Sequence, residues 1–96
     1  MNTEIKALHF TLEDKEKEHL NKKIERIHNA EGMIVDLLIT LKKEKDFEAE
    51  ANVNFRWHTS IHVHEKDFEL TTAIDKMMDK LEQKITKEKE KVKEKR

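Results

Sequence analysis

Asp46 to Trp57 reads DFEAEANVNFRW, and its alternation decides the architecture. Phe47, Ala49, Ala51, Val53 and Phe55 fall on one side, with Glu48, Glu50, Asn52 and Asn54 on the other. One apolar and one polar set at a period of two mark a strand packed on one face and wet on the other. Immediately upstream, MIVDLLITLKKEK is short and rich in β-branched residues, which predicts a strand from about Met33 to Lys42. Immediately downstream, RWHTS supplies a turn and SIHVHE a further strand. Its alternation puts Ile61 and Val63 on one face, and His62 and His64 on the other.

Further out the period changes. Before the hairpins, EDKEKEHLNKKIERIHN carries Leu20, Ile24 and Ile27 at spacings of four and three, one stripe of an amphipathic helix. Its acids (Glu13, Asp14, Glu16) open the segment and its bases (Lys22, Lys23, Arg26) close it, which complements the helix dipole. Asn29 to Gly32 supplies the stop. Ahead of that helix, IKALHFTL alternates Leu8, Phe10 and Leu12 and predicts the first strand.

After the last strand, a helix starting near Phe68 or Glu69 presents Leu70, Ile74, Met77, Met78, Leu81 and Ile85. The two methionines read as core filling, one of them at the boundary. Beyond Thr86 only Val92 is apolar, so from about Lys87 the helix is expected to project as a fraying tail. The order β-α-β-β-β-α predicts an α+β two-layer sandwich, a four-stranded sheet with both helices on one face. Residues 1–96 form one expected domain.

Composition removes several classes of function. The chain has 96 residues and no cysteine, which eliminates disulfides, thiol catalysis and thiolate-bound zinc. Twenty Lys+Arg against 21 Asp+Glu leave a net charge of −1, so any affinity for a polyanion must come from where the charges sit. MNTEIKALHF lacks the apolar run of a signal peptide, and nothing reaches membrane-spanning length; the expectation is a soluble, cytoplasmic protein with no membrane partner. Ser60 is the only serine and has no nucleophile-elbow glycine, there is no glycine-rich phosphate loop, and the carboxylates fall on wet faces. The chain reads as a non-enzyme without cofactor or small-molecule substrate.

The last helix raises the functional question. On a wheel of about 100° per residue with Lys76 at zero, Lys87, Lys80, Lys91 and Lys84 fall at roughly 20°, 40°, 60° and 80°. The apolar stripe lies at roughly 100° to 200°, and Asp75, Asp79, Glu82 and Glu90 at roughly 240° to 320°. Glu88 falls on the apolar arc, which suggests that the stripe has left the core by there. A lysine row beside an apolar stripe has three readings. It is a solvated face whose stems cover the stripe's edge, a ridge that tracks phosphates, or a surface for a partner helix.

Three segments bear on that choice: ITLKKEK, EANVNF and above all AIDKMMDKLEQKITKEKEKVK. Together they resemble the ribosome hibernation promoting factor and ribosome-associated inhibitor family, the sigma-54 modulation proteins, over essentially the whole chain. Glu69 and Thr71 depart from the aspartate and tyrosine usual before the AID run, and Gln83 stands where an arginine often follows. The resemblance implies the fold derived above. It also implies a stress or stationary-phase factor that sits in the small ribosomal subunit, in the messenger and transfer RNA channel, and blocks translation. By the same resemblance Lys80, Lys84, Lys87 and Lys91, with Lys76, contact ribosomal RNA, and Lys22, Lys23 and Arg26 of the first helix join them. The KEKR ending, without an acidic tail or a second dimerising domain, matches the short form of the family.

Other residues invite other readings. His58, His62 and His64 could bind zinc, but no locked carboxylate or cysteine accompanies them, and a solvated or RNA-facing role fits equally; no metal site is expected. Trp57 either covers the sheet edge or stacks on an unpaired base. From a different class, the charged C-terminal helix could pair with a partner or a second copy, although Val92 is a meagre seam.

Overall fold

β1 (Asn2–Leu8), β2 (Ile34–Lys43), β3 (Phe47–Phe55) and β4 (Ser60–Asp67) form one sheet in the order β1-β2-β3-β4. The computed structural model describes Met1 to Glu94, with side-chain environments as far as Val92. Lys95 and Arg96, the end of the expected tail, lie outside the described residues. β1 runs parallel to β2, with Ile5 opposite Ile39, while β2–β3 and β3–β4 are antiparallel hairpins. A parallel pair needs a crossover. α1 (Asp14–Glu25) and the 3-10 turn His28–Met33 supply it, and α2 (Leu70–Glu94) then packs on β3 and β4. The result is the expected α+β sandwich.

The core follows the two periods. Ala49, Ala51, Val53 and Phe55 of β3 are buried, as are Leu37, Ile39 and Leu41 of β2. From the helices come Leu20 and the α2 stripe from Leu70 through Ile85, with Ala73 added. Met77 and Met78 are both fully buried, so neither is the expected boundary residue.

β1 is displaced from its predicted place. The strand spans Asn2–Leu8, and Ile5 and Ala7 turn inward while Leu8 is 41% exposed. Phe10 and Leu12 lie beyond the strand and pack on the core from a loop. His9, at φ 69°, causes the change. A left-handed residue breaks the two-residue alternation, so the apolar spacing continues while the strand does not. Phe10 then meets Phe47 edge-on, with ring centroids 5.5 Å apart.

Both helix starts have local causes. At α1 the Glu13 N–H donates to the Glu16 carboxylate at 2.9 Å, and Asp14 and Glu16 occupy the positive end of the dipole. Before α2, the Glu69 N–H donates to Asp67 Oδ1 at 2.9 Å, a turn that leaves Phe68 81% exposed and starts the helix at Leu70.

A candidate nucleic-acid interface along the last helix

Lys76, Lys80, Lys84, Lys87 and Lys91 are all exposed, as the wheel requires. α2 sets them along β4, one of the two edge strands of the sheet, and the five meet different surroundings. Lys76 Nζ donates to Asp67 Oδ2 at 2.8 Å, and Lys80 forms an ion pair with Glu65. Glu65 and Asp67 sit on the helix-facing side of β4, alternating with His64 and Lys66. The Lys76 ammonium is raised above the usual lysine value by its hydrogen bond to Asp67. The Asp67 carboxyl is lowered, first by the Glu69 N–H and then by Lys76.

The second half of the line differs. Lys84 Nζ donates to the backbone carbonyl of His62 at 3.1 Å, and among the described residues no carboxylate pairs with Lys84, Lys87 or Lys91. Together with Thr59, Ser60, Ile61, His62 and Glu88 these three lysines line a groove of about 310 Å³ between the start of β4 and α2. The one carboxylate among its described lining residues, Glu88, accepts a 2.9 Å hydrogen bond from Trp57 Nε1. Three ammonium groups against one carboxylate leave the groove cationic, whereas each of the first two lysines has its charge cancelled beside it. Thr59 adds a neutral hydroxyl, while Ser60 Oγ donates its proton to Asn54 Oδ1 at 2.8 Å.

Glu88 is therefore not a sign that the helix has left the body of the protein. It is half-buried and receives Trp57, whose ring stacks on Phe55 at 5.1 Å between centroids. Trp57 thus packs on the end of β3, an interior strand, and is hydrogen-bonded to α2.

The α1 cations lie elsewhere. Lys23 approaches Asp75 at 3.4 Å, with His19 at 2.7 Å from the same carboxylate, and Arg26 Nε lies 3.4 Å from Glu82 Oε1. Asp75 and Glu82 are on the flank of α2 roughly opposite the lysine line. Far from being a free acidic ridge, that flank receives α1. Lys23 and Arg26 thus join the two helices and do not extend the lysine surface, while Lys22 is exposed nearby. The remaining motif lysines are also partly engaged: Lys42 pairs with Glu44 at 2.8 Å, and Lys43 lies 4.1 Å from the centre of the Phe47 ring.

His62 and His64 stand on the outer sheet face, 3.4 Å from Glu50 and 3.0 Å from Glu48 respectively, and no group of three potential metal ligands occurs among the described residues. Among the described residues no helix is long and apolar enough to cross a membrane. Spacing marks the lysines, but it carries no signal for Thr59 and Ser60, which lie at the end of the β3–β4 turn and the first position of β4 and reach the groove through that hairpin.

These features define a class: a small α+β protein whose terminal helix carries a cationic groove beside a sheet edge. Residues 3–93 match the family model described as Sigma 54 modulation protein / S30EA ribosomal protein, and the chain belongs to that family. Solved structures agree on the fold. A ribosomal subunit interface protein from Coxiella burnetii superposes with a TM-score of 0.83 at 22% identity, covering 93% of this chain and 98% of that one. The Protein Y N-terminal domain of Thermus thermophilus gives 0.78 at 24% identity, covering 91% and 98%. A search of curated protein sequences finds no match.

Proposed function

We propose that this protein is a ribosome-binding translation inhibitor that docks α2 on small-subunit ribosomal RNA, in the channel used by messenger and transfer RNA, under stress or in stationary phase. The family supports association with ribosomes, and its description and the name of the Coxiella burnetii neighbour both refer to them. The observation that carries the reading is the groove of Lys84, Lys87 and Lys91, cationic in a protein of net charge −1. Lysine ammonium groups are point-charge phosphate binders, so such a surface recognises backbone shape and not base sequence. Lys76 and Lys80 lie on the same line and contribute less, because a phosphate approaching either also meets Asp67 or Glu65. The protein acts by occupying space, without chemistry of its own, and works in the cytoplasm where ribosomes are.

Co-sedimentation with purified small subunits tests this. Wild-type protein should pellet with them and inhibit translation of added messenger RNA. Lys84→Glu, Lys87→Glu and Lys91→Glu combined should abolish both effects while leaving the circular dichroism spectrum unchanged. Undiminished binding by that triple variant would overturn the docking surface.

A further inference from the structure

The two edges of the sheet are treated differently. On β4, the Lys84 ammonium caps the outward carbonyl of His62, and two charged side chains, Glu65 and Asp67, occupy the helix-facing side under Lys80 and Lys76. Capping and inward charges are ways in which proteins block a sheet edge from pairing with another chain. β1, at the other edge, has neither. Among the described residues no side chain or loop group hydrogen-bonds its backbone, and the strand contains no proline and no register shift.

From this asymmetry we infer that β1 is a self-association surface, pairing antiparallel with β1 of a second copy to join two sheets into one of eight strands. The occupant is specified by the strand itself. Its seven residues, Asn2 to Leu8, are centred on Ile5, so a two-fold axis at Ile5 pairs every residue of the strand. In that register Glu4 of each copy faces Lys6 of the other, on the outer face of the sheet, and the charge match occurs twice. Within one copy the two side chains are already attracted, though only to 3.9 Å. Paired across strands, they stand directly opposite.

On the helix side the same axis brings the two Ile5 side chains together. Beside them opens a cleft of about 420 Å³ lined by Ile5, Ala7, Phe10 and Leu12, with Lys17 and Asn21 of α1 at its rim. These apolar residues are only half-buried in a single copy. Pairing at β1 would cover the margin of the cleft that the single sheet leaves open. Because β1 and β4 are opposite edges, the dimer keeps both lysine grooves exposed, and the inference does not depend on ribosome binding.

Charge reversal tests the register. Sedimentation equilibrium of the wild-type chain, from micromolar to sub-millimolar concentration, should show the mass rising from 11.5 kDa toward twice that value. Glu4→Lys and Lys6→Glu each set like charges opposite one another at two places and should weaken association roughly ten-fold or more. Mixing the two variants restores opposite charges at both places and should regenerate a dimer; the double variant E4K/K6E should self-associate like the wild type. A wild-type chain that stays monomeric overturns the proposal. So does a dimer indifferent to the single reversals, which would point to a different contact such as α2, or a mixture that fails to associate. Ribosome co-sedimentation of each single variant should remain at the wild-type level, so the two proposals fail separately.

Discussion

Trp57 Nε1 donates a 2.9 Å hydrogen bond to Glu88 Oε1, tying the turn between β3 and β4 to α2 one helical turn beyond Lys84. The contact places the second residue after β3 against the helix three residues beyond its last buried apolar side chain, Ile85. It thereby frames the groove lined by Lys84, Lys87 and Lys91.

Removing the acceptor at position 88 should loosen that frame. A hydrogen bond to a charged group contributes about 1.5–3 kcal/mol when buried. Half-exposure brings the expected loss for Glu88→Leu down to about 1 kcal/mol. In a chain of this size that is a fall of about 4–8 °C in Tm. Glu88→Gln keeps an acceptor and should stay near wild type. Thermal melts followed by Trp57 fluorescence, the sole tryptophan, measure both.

Leu81 is fully buried in the α2 stripe, among side chains that cannot all collapse into a void. Leu81→Ala should cost about 2–5 kcal/mol through lost transfer energy and the cavity left behind. Since domains of this size are stable by only about 5–15 kcal/mol, urea unfolding should show a much lower midpoint. An unchanged midpoint would mean that the helix is not docked as described.

Ionic strength should report how many lysines engage RNA. Five phosphate contacts would give a log–log salt slope of about −3 to −5, whereas three give about −2 to −3. With Lys76 and Lys80 paired to Asp67 and Glu65, the smaller slope is expected. Replacing Lys87 by Gln should reduce its magnitude by nearly one, and replacing Lys80 by Gln should change it little. Equal effects at the two positions would show that the ion pairs open on binding.

The Asp67–Lys76 pair makes stability depend on pH in two windows. Asp67 has its folded-state pKa lowered, so its contribution is present above the ordinary aspartate value and is lost as pH falls through the folded one. Lys76 has its folded-state pKa raised, so its contribution is present below the ordinary lysine value and is lost as pH rises through the folded one. Asp67→Asn should therefore show a smaller drop in Tm between pH 7 and strongly acid solution than the wild type, measured by calorimetry. A drop as large as in the wild type would assign the acid sensitivity to other carboxylates.

Much of this molecule is legible residue by residue. The alternation from Phe47 to Phe55 gives the dry and wet faces of β3, and every apolar residue of the predicted α2 stripe is buried. Only the first strand was out of place. His9 in a left-handed conformation ends β1, while the spacing of Leu8, Phe10 and Leu12 carries on as if it did not. A single backbone angle leaves no trace in a pattern of apolar residues.

The lysine line shows where local information stops. Periodicity follows from the geometry of one helix, so it suffices to put Lys76 through Lys91 on one flank of α2. Which of those charges remain available is decided by what strand pairing brings alongside: Glu65 and Asp67 beneath the first two, and a backbone carbonyl and two hydroxyls beside the last three. The fate of Lys23 and Arg26 was settled the same way, by α1 resting on the acidic flank of α2. Apart from β1, sequence alone determined the elements and their faces, because those depend on neighbours along the chain. The tertiary structure alone decided the electrostatics, because a charge is cancelled by whatever lies a few ångströms away in space.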